Sequence, residues 1–120
     1  KDISKVDTVS GCFFMIASKH LEEMGYFDEN VFLYYEENIM GVKTKKLKKN
    51  IIVCNNVDVI HDHSVSIDKS LKRIKKYDIL KTSQEYFEKT YNHASKLELF
   101  FLKVFRYITR VLLLIKYMID

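Results

Sequence analysis

Apolar residues come in short runs before Ser66 and at helical spacing after it. Val6, Val9 and the run Cys12-Phe13-Phe14-Met15-Ile16-Ala17, entered through Ser10-Gly11, predict a buried strand because the run is strand-length and rich in aromatic and branched residues. Ser18 is a suitable N-cap for a short helix over 19–24, and Gly25 is placed to stop it. A polar turn over 26–30 leads into Val31-Phe32-Leu33-Tyr34-Tyr35 and straight on into Glu36-Glu37. Over 36–49, Ile39, Met40, Val42 and Leu47 alternate with five lysines. That spacing predicts an amphipathic helix with acids at its start and cations at its end, both favoured by the helix dipole. The stretches 51–54 and 57–60 read as two short strands about the turn Asn55-Asn56, the second delivering His61, Asp62 and His63.

Past Ser66 or Asp68 as N-cap, Ile67, Leu71, Ile74, Tyr77 and Leu80 keep a helical stripe that continues through Phe87 and Tyr91, and Asn92-His93 predicts a break. Over 97–119, seventeen of 23 residues are apolar or Tyr, and Lys103, Arg106 and Arg110 fall at i, i+3 and i+7 on one face. At about 1.5 Å per residue that helix is roughly 35 Å long. Its apolar length approaches the roughly 20 residues that span a bilayer. Lys103, Arg106, Arg110 and Lys116 would each cost about 2.5–3.5 kcal/mol near the bilayer centre, which disfavours spanning. An in-plane helix with its cations toward headgroups fits the pattern better, and packing on the preceding helix or on a second subunit, as a homodimer, fits it equally.

Composition sharpens the division. The 120 residues contain no proline, and all three glycines precede Ser66, so 1–66 reads as a small α/β portion and 67–120 as a helical extension. A net charge of +4 falls short of the dense basic tracts of nucleic-acid binders, so no nucleic-acid partner is expected. Cys12 and Cys54, each inside an apolar run, have neither metal-knuckle nor disulfide spacing and are expected as free buried thiols in a reducing compartment. With no initiator Met and no signal peptide, the chain reads as an excised piece.

Candidate chemistry converges on one stretch. Glu36 and Glu37 open a helix directly after an aromatic loop. Successive helical residues point about 100° apart, so one carboxylate aims into a cleft while the other caps or braces. His61 and His63 share one side of a strand, but His20 and His93 are isolated, so a structural zinc site is not expected. Asp28 suits a loop cap, and Tyr34-Tyr35 suits either a core or a sugar-stacking wall.

Five segments then match a known pattern in order and spacing: Val9-Ser10-Gly11, Gly25-Tyr26-Phe27-Asp28-Glu29, Phe32-Leu33-Tyr34-Tyr35-Glu36-Glu37, the lysine-rich stretch 43–49, and Val59-Ile60-His61. Over about 60 residues the chain resembles the C-terminal half of the inverting family 2 glycosyltransferases of GT-A fold, particularly bacterial polysaccharide rhamnosyl- and galactosyltransferases. The resemblance implies an α/β fold, a partial GT-A (nucleotide-diphospho-sugar transferase) domain followed by a two-helix extension. It implies Glu37 as general base and His61 as ligand of a divalent metal, Mn²⁺ or Mg²⁺. Glu36, Asp28, Tyr34, Tyr35, Gly11 and His63 would bind the acceptor or support it. The implied substrates are a nucleotide-sugar donor and a saccharide or lipid-linked acceptor, and the implied location is the cytoplasmic face of the bacterial cell membrane. Ile39 stands where the family commonly has an acid two positions after the base, and Asn55 where it has a proline. The family's aspartate-rich donor motif is not among these residues, so the 120 residues alone are expected to be inactive. The rival reading is a non-catalytic membrane-associating or dimerising helical module with a small α/β cap.

Overall fold

The structure is a computed structural model and describes residues 2–61 and 72–119. In chain order these form β1 (Ile3–Val6), α1 (Ser18–Glu23), α2 (Glu36–Lys46), β2 (Ile51–Cys54), α3 (Arg73–Thr90) and α4 (Lys96–Ile119). Residues 2–31 with 35–61 make one compact unit, and 32–34 with 72–119 make a second.

In the first unit β1 and β2 pair antiparallel, Ile3 opposite Cys54 and Val6 opposite Ile51. Asn55 extends the pairing: its N–H donates to the Asp2 carbonyl (2.8 Å) and its Nδ2 to Ser4 Oγ (2.9 Å). β2 lies where the pattern predicts it. The run 12–17 does not form the predicted strand; it turns at 11–13 and then runs irregularly to α1. Strand propensity expresses itself only where a ladder partner is available, and the partner of β2 is β1. Phe13 and Met15 are consequently exposed, while Phe14 meets Phe27 edge to face at 6.3 Å. The expected strand over 57–60 is likewise not formed, and Val57, Val59 and Ile60 are exposed. Both cysteines are free, but exposed rather than buried. Cys12 sits in the turn that replaces the strand, and Cys54 ends a two-stranded sheet whose other β2 residues Ile52 and Val53 are exposed as well.

α2 carries the core of this unit. Ile39 is only 2% exposed, and Met40, Gly41 and Thr44 are buried beside it. The helix stops three residues short of the predicted end because Lys48 turns into the left-handed region (φ 54°). The N–H groups of Lys48 and Lys49 then donate back to Lys45 O (2.9 Å) and Thr44 O (3.2 Å), closing the helix end. Lys43 Nζ donates to Tyr26 O (2.8 Å) and Lys49 pairs with Glu23, so part of the lysine-rich face holds the α1 region. α1 begins at Ser18 with Ala17 at the cap, one residue earlier than predicted and without a side-chain cap bond. It ends in the left-handed backbone expected at Gly25.

The second unit is a helical hairpin. Tyr77 Oη donates to Arg106 O (3.1 Å) and meets Thr109 Oγ1, and Arg110 Nε and Nη2 donate to Asp78 Oδ1 (3.0 Å) and Oδ2 (3.3 Å). Lys103 and Arg106 both pair with Glu85, at 3.0 and 3.8 Å. The three cations predicted to share a face do share one, and it points at α3. Buried Ser83 donates its hydroxyl to Leu33 O (2.8 Å). The predicted break is marked by His93 in the left-handed region (φ 54°), and α4 then opens on a reciprocal cap. Ser95 N–H and Oγ–H both donate to Glu98 Oε2 (2.7 Å each), and Glu98 N–H donates to Ser95 Oγ (3.3 Å). Among the described residues no helix is long and apolar enough to cross a membrane.

Candidate active site

The chain reaches the two glutamates through an unusual turn. Tyr34 and Tyr35 both adopt left-handed backbone (φ 67° and 72°), a conformation that costs a non-glycine residue about 1–2 kcal/mol. Tyr35 is the N-cap of α2, so this turn sets the direction in which the first helical residues, Glu36 and Glu37, leave the loop.

Glu37 is half-buried and faces the loop that follows β1. Gly11 N–H donates to its Oε1 at 2.9 Å, and Thr8 Oγ1–H donates to its main-chain carbonyl, also at 2.9 Å. Two glycines permit this approach. A β-carbon at Gly11 would overlap the Glu37 carboxylate, and one at Gly41, a turn further along α2, would stand 2.5 Å from Asp7 O. The structure therefore joins two of the residues singled out from sequence, Gly11 and Glu37. It adds two that were not, Thr8 and Gly41. Gly41 had a readable signal: an isolated glycine inside a helical pattern costs about 1 kcal/mol against alanine and usually marks a close contact. Thr8 had none.

Glu36 differs electrically from its neighbour. Burial pushes its carboxyl above the ordinary range, the adjacent Glu37 charge pushes the same way, and its own backbone N–H partly offsets both. The pair thus splits into one carboxylate oriented by a backbone donor and one whose ionisation is opposed by its surroundings.

The remaining candidates lie apart in role. Asp28 caps its own turn, Oδ1 accepting from Asn30 N–H (2.9 Å) and Nδ2 (2.8 Å). Tyr34 belongs to the second unit and Tyr35 to the first. His61 is exposed at the end of the described part of the first unit, and His63 lies outside the described residues. Among the described residues no three His, Cys, Asp or Glu side chains gather as a metal site, so His61 alone does not constitute one. A cleft of about 890 Å³ does exist in the first unit, lined by apolar side chains including Phe13, Phe14, Met40 and Ile52. Glu36, Glu37 and His61 are not among its lining residues. His20 is, and its Nε2 meets buried Thr44 Oγ1 at 3.1 Å. The braced carboxylate therefore lies outside the lining of this cleft.

No family model matches the chain, and no solved structure matches it. Over 64 residues it is 34% identical to the low-salt glycan biosynthesis hexosyltransferase Agl10 of Haloferax volcanii, covering 53% of this chain. The chain spans about a fifth (21%) of that relative's length. Over that shared segment, the chain is related to a glycosyltransferase.

Proposed function

We propose that this chain supplies the acceptor side of an inverting glycosyltransferase of family 2 and GT-A fold, with Glu37 as general base. The observation that carries the reading is the hydrogen bond from Gly11 N–H to Glu37 Oε1. It fixes the carboxylate at the start of α2 and leaves Oε2 for an acceptor hydroxyl. In the reaction, Glu37 takes the hydroxyl proton as the acceptor oxygen forms its bond to the anomeric carbon. The bond from that carbon to the diphosphate breaks on the opposite face, which inverts the configuration. Glu36, disfavoured as a charged group, shapes the acceptor site beside the base, together with Tyr35, Asp28 and His63.

The donor is a nucleotide sugar and the acceptor a saccharide or a lipid-linked saccharide, in the assembly of cell-surface polysaccharide at the cytoplasmic face of a membrane. A divalent metal would counter the charge developing on the leaving diphosphate, with His61 as one ligand and the others contributed from outside the described residues. The hexosyltransferase likeness supports the class of reaction. The test is Glu37→Gln in the full-length enzyme, assayed with sugar nucleotide and acceptor: turnover should collapse while the fold persists, and retained turnover would refute the assignment.

A further inference from the structure

We propose that the α3–α4 hairpin docks on an anionic lipid surface with the outer face of α4 in the lipid. Leu97, Phe101, Val104, Ile108, Leu112 and Ile115 recur at helical spacing and are 40–65% exposed. They are not the core of the hairpin, because the opposite face of α4 is the one engaged with α3 through Arg106, Thr109 and Arg110. At 100° per residue these six positions span roughly 80° of the helix circumference, and with the exposed Phe100, Phe105, Tyr107 and Leu114 the apolar face spans roughly 180°.

That width argues against a helix pair as occupant. A two-stranded seam is a narrow a/d stripe flanked by charges, whereas here the flanking positions are Phe100, Phe105, Tyr107 and Leu114, all exposed. A broad face of aromatic and aliphatic side chains is the form taken by helices that lie in a bilayer interface.

Charge points the same way. Residues 72–119 contain eleven Lys and Arg against four Asp and Glu, a net +7, while residues 2–61 contain seven Lys and nine acids, a net −2. A second copy of the hairpin would bring like charge against like; an anionic headgroup layer brings the opposite sign. Lys96 and Lys116 fall at the two margins of the apolar face, where a lysine stem can lie along the lipid while its ammonium reaches the headgroups. The sequence expectation is corrected in one respect. Lys103, Arg106 and Arg110, read from the pattern as headgroup contacts, are paired with Glu85 and Asp78 inside the hairpin. The inference rests on the hairpin alone and is independent of the sugar-transfer reading.

The chain contains no tryptophan, so Phe101→Trp provides a single reporter. On vesicles of equal parts phosphatidylcholine and phosphatidylglycerol its emission should shift to the blue and the chain should co-sediment. Apparent affinity should be at least ~10-fold above that for phosphatidylcholine alone and should fall at high salt. The double variant Phe101→Asp/Ile108→Asp, on exposed positions, should abolish binding with its circular dichroism unchanged. Absence of both the blue shift and co-sedimentation on anionic vesicles would overturn the proposal. So would a lipid-free dimer that the aspartates dissociate, since the face would then seat a second copy. A large loss of thermal stability in the double variant would also overturn it, since the face would then be covered by the chain itself.

Discussion

Gly11 N–H and Glu37 Oε1 meet at 2.9 Å although 26 positions separate them along the chain. The contact makes Glu37 both a brace for the loop after β1 and an oriented carboxylate, and two substitutions separate these roles. Glu37→Gln keeps an amide oxygen for Gly11 N–H but cannot take a proton, whereas Glu37→Ala loses both functions. On the proposed glycosyl-transfer reading, kcat of the full-length protein should fall about 10²–10⁴-fold in both. Thermal stability should fall only in the alanine variant. Unchanged kcat in Glu37→Gln, with lowered stability in Glu37→Ala, would leave Glu37 a brace alone.

Gly11→Ala probes the same relationship from the other side. A β-carbon there displaces the carboxylate without altering its chemistry. Displacing a reacting group by about 1 Å can cost on the order of 100-fold in rate, so kcat should drop by that order while KM for the acceptor changes less. Steady-state kinetics with acceptor varied at saturating donor reads this directly, and wild-type kcat would remove Gly11 from any positioning role.

Gly41→Ala sets two effects of opposite sign against each other. Alanine gains about 1 kcal/mol of helix propensity. The added methyl, 2.5 Å from Asp7 O, meets backbone and brings an overpacking cost of about 1–3 kcal/mol. The overpacking cost should prevail, so the urea midpoint falls with an unchanged slope. A rise in midpoint would mean that the loop yields freely.

Ile39→Ala removes the most enclosed side chain of the first unit. Truncating a fully buried isoleucine costs about 2–5 kcal/mol, a large share of the stability of a small unit. Hydrogen exchange in α2 should rise sharply while exchange in α3 and α4 changes less, because those helices belong to the other unit.

Ser95 and Glu98 give a pH dependence of known sign. Ser95's side-chain and backbone donors hold the Glu98 carboxyl below the ordinary carboxylate range. A carboxyl depressed in the folded state stabilises it at pH above that range, and the contribution is lost as pH falls through the depressed value. Ser95→Ala should therefore lower Tm at neutral pH, and the gap to wild type should narrow in strong acid. A gap independent of pH would show that the carboxylate is not involved.

The sequence marked α2, α3 and α4 because each has enough length for its apolar period to register, and α1 through Gly25 at its end, while the start read at Ser66 or Asp68 lies outside the described residues. It placed β2 but missed β1, and read strands at 12–17 and 57–60 that do not form, because a four-residue strand has no period of its own to speak of. Ile3-Ser4-Lys5-Val6 looks unremarkable until β2 is there to pair with it, while Cys12-Phe13-Phe14-Met15-Ile16-Ala17 looks like a strand and has no ladder to join. The strand that does not form at 12–17 accounts for the exposure of Cys12, whereas Cys54 is exposed at the end of a strand that does form. Glu37 and Gly11 were each legible as residues of interest. Their contact was not, because nothing in a spacing of 26 specifies that a loop will cross a helix. The cap Ser95-Lys96-Leu97-Glu98 carries its signal in the serine-to-glutamate spacing alone. His63 lies outside the described residues.

The two-stranded pairing also orders events in time. Its Ser4–Asn55 contact closes a span of 51 residues, whereas the Asp78–Arg110 contact of the hairpin closes 32, between helices whose own bonds span only four. Chain closure over the longer span carries the greater entropic cost, and local structure forms first. The hairpin should therefore assemble before β1 reaches β2. By the same measure the Gly11–Glu37 contact closes only 26 residues, so the carboxylate can be oriented without waiting for β1 to reach β2.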